Sequence, residues 1–215
     1  MLFASSASAG DGPLTLGSID TFATATKLDT QVLNSDRAPR DLVGAGLRMP
    51  TLVSLVGASA ALAITQGPMR GRIFEARYSS TIDSFDGTST ISRVPMSLHT
   101  DGVHVAEFGW AVPVPGLQVQ LDNDWSGKLT GDFVWGVSYT WSQITVTGPS
   151  SLTGSGTASK LDGWARIDLG ICKRVPFGSS KDHNEYSAFG CVVAQPYIYS
   201  HGWFPGGSVA LRVEL

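Results

Sequence analysis

From Arg72 to the last residue the chain is a succession of short runs in which apolar and polar side chains alternate, separated by clusters of Gly, Pro, Asn, Asp and Ser. A period of two puts successive side chains on opposite faces of an extended strand, so this pattern demands sheet and leaves little scope for helix. The runs cover 72–78, 90–98, 103–114, 117–121, 132–146, 164–175, 189–200 and 208–215, and the breaks between them include HTDG, PVPG, DNDWSG, PFGSSKDHNE and HGWFPGG. The last run is the clearest. Val209, Leu211, Val213 and Leu215 alternate with Ser208, Ala210, Arg212 and Glu214, giving one apolar and one polar face. Strands at such intervals point to a sandwich or barrel and not to βαβ units.

A chain of 215 residues is within the size range of one all-β domain. The expected organisation is a flexible N-terminal arm over 1–13, rich in Ser, Ala and Gly, followed by one domain over 14–215. A further strand is expected within Leu14–Leu33, and 34–50 is expected as an extended connector. Pro50 opens the one expected helix, in which Leu52, Leu55, Val56, Ser59, Leu62 and Ala63 recur at helical spacing before Gly67-Pro68. The apolar run TLVSLVGASAALAIT (51–65) falls short of the roughly 20 residues that a spanning helix needs. It is read as a buried element, and no membrane partner is expected. The start MLFASSASAGDG lacks the basic region of a secretory signal.

Charged residues are 15% of the chain and the net charge is −3, so no polybasic arm is available for nucleic acid. Cys172 and Cys191 can form one disulfide or sit as buried thiols, and buried thiols are the preferred reading. His99, His104, His183 and His201 form no HxH or HExxH pair and read as surface or turn residues. The serine nucleophile elbow is missing, and GPSSLTGSGTAS reads as a flexible loop. Asp83 with Asp86, and Asp182 with Glu185, are ordinary turn acids unless a cleft brings them together. No enzymatic activity is expected, and no cofactor is required. Asp122, Asp124 and Ser126, followed by Gly127, match the first half of a calcium loop. Phe133 stands where the closing Glu should be, so a plain Asx-rich turn competes with calcium. Trp135 and Trp141 share one strand face and, with Trp203, are candidate interface residues.

The order of a loose arm, a short helix, long-looped strands and the terminal pair QPYIYS…GGSVALRVEL resembles the coat proteins of picorna-like plant viruses of the como-/nepovirus type. The stretch GLQVQLDNDWSGKLTGDFVWGVSYTW is similar in texture to a strand pair of those proteins. The resemblance implies an antiparallel β-sandwich, a jelly roll of about eight strands with one short helix. It also implies a structural capsid protein that assembles with copies or related subunits into an icosahedral virion, after synthesis in the host cytoplasm. Two alternatives are a carbohydrate-binding β-sandwich using the tryptophans and a β-sandwich glycoside hydrolase.

Overall fold

A computed structural model describes residues 14–26, 46–47, 53–64, 71–91, 94–114, 116–117, 119–121, 127–149, 153–175, 187–199 and 202–214. They form fourteen strands: β1 (Leu14–Thr26), β2 (Gly46–Leu47), β3 (Val53–Ile64), β4 (Gly71–Thr81), β5 (Phe85–Ile91), β6 (Val94–Thr100), β7 (His104–Pro113), β8 (Val119–Gln120), β9 (Gly127–Thr147), β10 (Thr153–Arg174), β11 (Ser187–Ala194), β12 (Tyr197–Tyr199), β13 (Gly202–Phe204) and β14 (Gly206–Glu214). Among the described residues there is no α-helix. The expected arm over 1–13 and most of the expected connector over 34–50 lie outside the described residues.

Eight of these strands close on themselves. The order β1–β3–β4–β7–β9–β10–β11–β14 returns to β1 through antiparallel pairs at every step. This is a single barrel, and it corrects the jelly-roll expectation. A jelly roll packs two sheets face to face, whereas one closed sheet has a lumen and an outside. The β11–β12 and β13–β14 segments are each one strand in a continuous register, interrupted at Pro196 and Pro205. Proline cannot donate to a ladder, and here it marks the breaks.

The expected helix at Pro50 is β3 instead. Leu55, Ser59 and Ala61 face inward and are buried, while Val56, Ala58 and Ala60 face outward. As a strand, this segment fills the gap between β1 and β4 and satisfies both of their edges. Gly57 belongs to that solution, because a Cβ there would collide with the Tyr78 carbonyl oxygen and the Phe22 ring.

At one end the barrel continues as an extension. β9 and β10 run past the ring, and β6, β5 and β2 pair onward from β9. Cys172 and Cys191 lie directly opposite each other on β10 and β11 and form a disulfide facing the lumen, packed with Phe22, Val193 and Ala210. The disulfide replaces the preferred reading of free thiols, because the pairing register brings the two Cα atoms to 4.0 Å. Replacing both cysteines by serine is expected to lower unfolding stability by about 2–4 kcal/mol. Chemical denaturation with and without reductant measures this, and an unchanged midpoint would contradict the bond.

Candidate functional site in the barrel lumen

Strand alternation sends one side chain in two into the lumen, and along the ring those residues are charged groups set beside two apolar clusters, one around the disulfide with Phe22, Val193 and Ala210, the other of Ala111, Val134, Trp164 and Tyr197. β4 supplies Arg72, Glu75 and Arg77, β7 supplies Glu107, β9 supplies Asp132, and β10 supplies Arg166 and Asp168. The register shift between β3 and β4 falls beside Arg72, and a bulge of this kind re-aims a side chain that strict alternation would send outward. Gln195 and Tyr197 complete the wall from the β11–β12 strand.

Most of these groups satisfy one another, although among the described residues the buried Arg77 Nε and Trp164 Nε1 make no hydrogen bond. Arg166, 1% exposed, donates from Nε to Asp168 at 2.8 Å, from Nη2 to Glu75 at 2.6 Å, and from Nη1 to the Tyr197 hydroxyl at 3.3 Å. Arg72 donates from Nε and Nη2 to Asp132 at 2.9 and 2.5 Å, and from Nη1 to Glu75 at 3.4 Å. Gln195 donates to Asp168 at 3.1 Å and accepts from Arg77 at 3.5 Å. Arg77 lies over the Phe22 ring at 3.7 Å, with its Nε 3.4 Å from Glu107. A second pair, Arg212 with Asp20, joins β14 to β1 through bonds of 2.9–3.2 Å, and Lys128 pairs with Glu214. Charges taken this far from water are tolerable only when so paired.

Beyond the charges, toward the extension, the lumen becomes a layer of hydroxyls. Ser142 donates to the Gly102 carbonyl at 2.7 Å and is bonded to Thr100, and the Val103 amide donates to the Thr81 hydroxyl at 2.9 Å. At the same level Leu55, opposite Thr81, and Phe85, opposite Thr100, form an apolar cluster with Val103 and Val105.

The outside of the ring has the opposite polarity. Phe108, Trp110, Phe133, Trp135, Val137, Tyr139, Ile167, Leu169, Ile171, Val209 and Leu211 all point outward and are exposed. Along β10 the outward apolar run from Leu161 to Ile171 is about 34 Å of strand, or a band about 26 Å tall at a tilt of about 40°. At its edge nearest the extension, Tyr78, His104, Trp141 and Tyr139 form a row of rings with neighbouring centroids 5.3–6.2 Å apart. Both solvent preferences then invert. Further along β9 the outward residues become Gln143, Thr145 and Thr147, and the buried ones become Ile144 and Val146.

The structure places Trp135, Trp141 and Trp203 on the outer surface, with Trp203 63% exposed. Asp122, Asp124 and Ser126 lie outside the described residues, as do His183 and His201. Asp86 joins His99, which bridges its Oδ1 at 2.6 Å and that of Asp101 at 3.1 Å on the extension. The lumen charges, scattered over 96 positions from Arg72 to Asp168, carry no local motif. What marked them was a charged residue recurring on the otherwise polar face of alternating runs.

No protein-family model and no curated protein sequence matches the chain. Two solved structures are similar in outline. Ail, the attachment invasion locus protein of Yersinia pestis, is 9% identical, with 93% of this chain and 98% of that chain covered and a TM-score of 0.36. The N-terminal β-barrel domain of Pseudomonas aeruginosa OprF is 12% identical, with 92% and 98% covered and a TM-score of 0.30. Scores this low leave the function to be argued from the barrel itself. That barrel overturns the coat-protein resemblance, and with it the capsid shell, the virion and cytoplasmic location, and the coat-subunit partners. It also leaves the sandwich lectin and sandwich glycosidase without their scaffold. The exclusion of a membrane weighed helices alone, and no described helix is long and apolar enough to cross one, which does not bear on strands. The outer apolar band is what that reading missed.

Asp168→Ala is expected to cost about 3–5 kcal/mol, because it leaves Arg166 and Gln195 short of an acceptor in the lumen. Denaturant unfolding in detergent checks it, and a cost below about 1 kcal/mol would mean that the network contributes little. His99 is expected to titrate above its ordinary value, because hydrogen bonds to Asp86 and then Asp101 favour the imidazolium. The clasp is therefore complete below the ordinary histidine range and is lost as pH rises through the elevated value. NMR titration should show Asp86→Asn lowering it.

Proposed function

We propose that this chain is an integral β-barrel of a lipid bilayer, serving as a closed, non-catalytic anchor that holds its sheet extension in the water at one membrane face. The observation that carries this reading is the double inversion along β9 and β10. Within the ring the outward face is apolar and exposed while charged groups are buried, and along β9 in the extension Ile144 and Val146 are buried while Gln143 and Thr147 are exposed. A soluble barrel has no reason to change sides partway along a strand, whereas a barrel leaving hydrocarbon for water must do so. The outer band is of bilayer height, and rings gather at the edge where polarity changes. Closure supports the same reading, since a sheet in lipid can leave no backbone edge unpaired. Trp135, Trp141 and Trp203 are then interface residues toward lipid, not toward neighbouring subunits.

The test is reconstitution into vesicles whose lipids carry bromine at mid-chain, with single-tryptophan variants as reporters. Trp110 and Trp135, deep in the band, are expected to be quenched strongly, and Trp141 and Trp203, nearer its edge, more weakly. A chain that stays monodisperse in plain buffer, with equal and weak quenching at all four sites, would sink the reading.

A further inference from the structure

We propose that a trough on the outer wall of the barrel, running along β1 between β3 and β14, seats one acyl chain of a bilayer phospholipid. The inference rests on the bilayer reading, which puts lipid tails against this wall. Ala23 pairs with Val56 on β3 and with Val209 on β14, and Thr21 pairs with Leu211. The outward side chains of Thr21 and Ala23 are short, whereas Val56, Val209 and Leu211 stand exposed on either side of them. The result is a recess of about 450 Å³, open to the outside, with Gly57 in its lining. Toward the extension its floor continues to Ala25, which is exposed and pairs with the exposed Ser54.

Shape and chemistry together decide what fits. Neighbouring strands lie about 4.8 Å apart, so the two walls are separated by roughly 10 Å of backbone spacing, less the width of their own side chains. A helix, about 10–12 Å across, is too wide to enter. A second copy would bring an equally convex barrel, which rests on the walls and leaves the floor empty. A single hydrocarbon chain is narrow enough to lie along Ala23 and touch both walls. Among the described residues no charged side chain lines the trough, and Thr21 brings its one polar side chain, so a phosphate or amine has nothing there to hold it. In hydrocarbon the gain comes from contact: an unfilled trough forfeits dispersion contacts along its floor, and a chain laid in it recovers them. The end at Ala25 and Ser54 faces the extension, so the headgroup lies on that side and the tail runs toward the bilayer midplane.

The test reconstitutes the whole protein in nanodiscs of dimyristoylphosphatidylcholine or dimyristoylphosphatidylglycerol and ejects it into a native mass spectrometer. At the activation that strips the surrounding lipid, the wild type should keep one phospholipid, with either headgroup. Ala23→Phe fills the floor and should cut the retained fraction at least about tenfold, the scale of about ten lost carbon–carbon contacts. Val209→Ala combined with Leu211→Ala lowers one wall without adding bulk and should have the same effect. Ala194→Phe, on the outward face of β11 and away from the trough, should leave retention unchanged. A wild type that emerges bare from discs it had entered, equal loss in Ala23→Phe and Ala194→Phe, or retention with only one headgroup overturns the proposal. So does a dimer that Ala23→Phe disperses, which would give this wall to a second copy. Failure to enter the discs would instead strike the bilayer reading.

Discussion

Closure of the ring is the constraint on which the rest depends. Once β14 pairs with β1 and β9 with β10, every ring strand has both edges satisfied, and the sheet has an inside too narrow for bulk solvent. Whatever faces that interior must satisfy itself. The side chains that do so are drawn from β4, β7, β9, β10 and the β11–β12 strand, and each guanidinium reaches carboxylates on strands other than its own. The network therefore exists only in the closed ring. Opening any one strand pair would strand several charges at once, which couples the lumen chemistry to the integrity of the barrel.

The interior of the described barrel is occupied by paired charges, hydroxyls and hydrocarbon. Paired charges gather beside Arg72 and Arg166, and the cluster of Leu55, Phe85, Val103 and Val105 is buried toward the extension. Level with that cluster, the hydroxyls of Thr81, Thr100 and Ser142 bond backbone carbonyls and amides at the end of β4 and just before β7. Charge inside the ring thus gives way, toward the extension, to hydroxyls and hydrocarbon at one level. Outside, polarity rises from hydrocarbon through an aromatic row to threonine and glutamine. The two gradients cross at one level along β9, near Trp141 and Ser142, which is where two solvents would meet.

Small local devices serve this arrangement. Pro196 and Pro205 interrupt two neighbouring strands without shifting their register, and the Gln195 amide still donates to the Gly206 carbonyl at 2.8 Å across the break. Gly136 lies against the Phe108 backbone so closely that no Cβ would fit, so β7 and β9 meet tightly beneath Trp164. The disulfide ties β10 to β11 on the lumen side, where it adds apolar volume beside Phe22.

The sequence by itself determined the elements and their faces. Alternation placed β14 and assigned Val209, Leu211 and Val213 to one face and Ser208, Ala210 and Arg212 to the other, as the structure has them. It also put Trp135 and Trp141 on a shared face. Only tertiary structure decided which face was inside, because a period of two is the same whether the apolar side meets a core or a lipid tail. The habit of putting apolar residues inside turned a barrel into a sandwich and hid Arg166 and Asp168 among solvent-facing residues. β3 was misjudged for a related reason: its alternation of small residues is weak, and only the unpaired edges of β1 and β4 require it to be extended. Cys172 and Cys191 met the same limit, since nineteen residues of separation fit a bond or two thiols until register set them opposite each other.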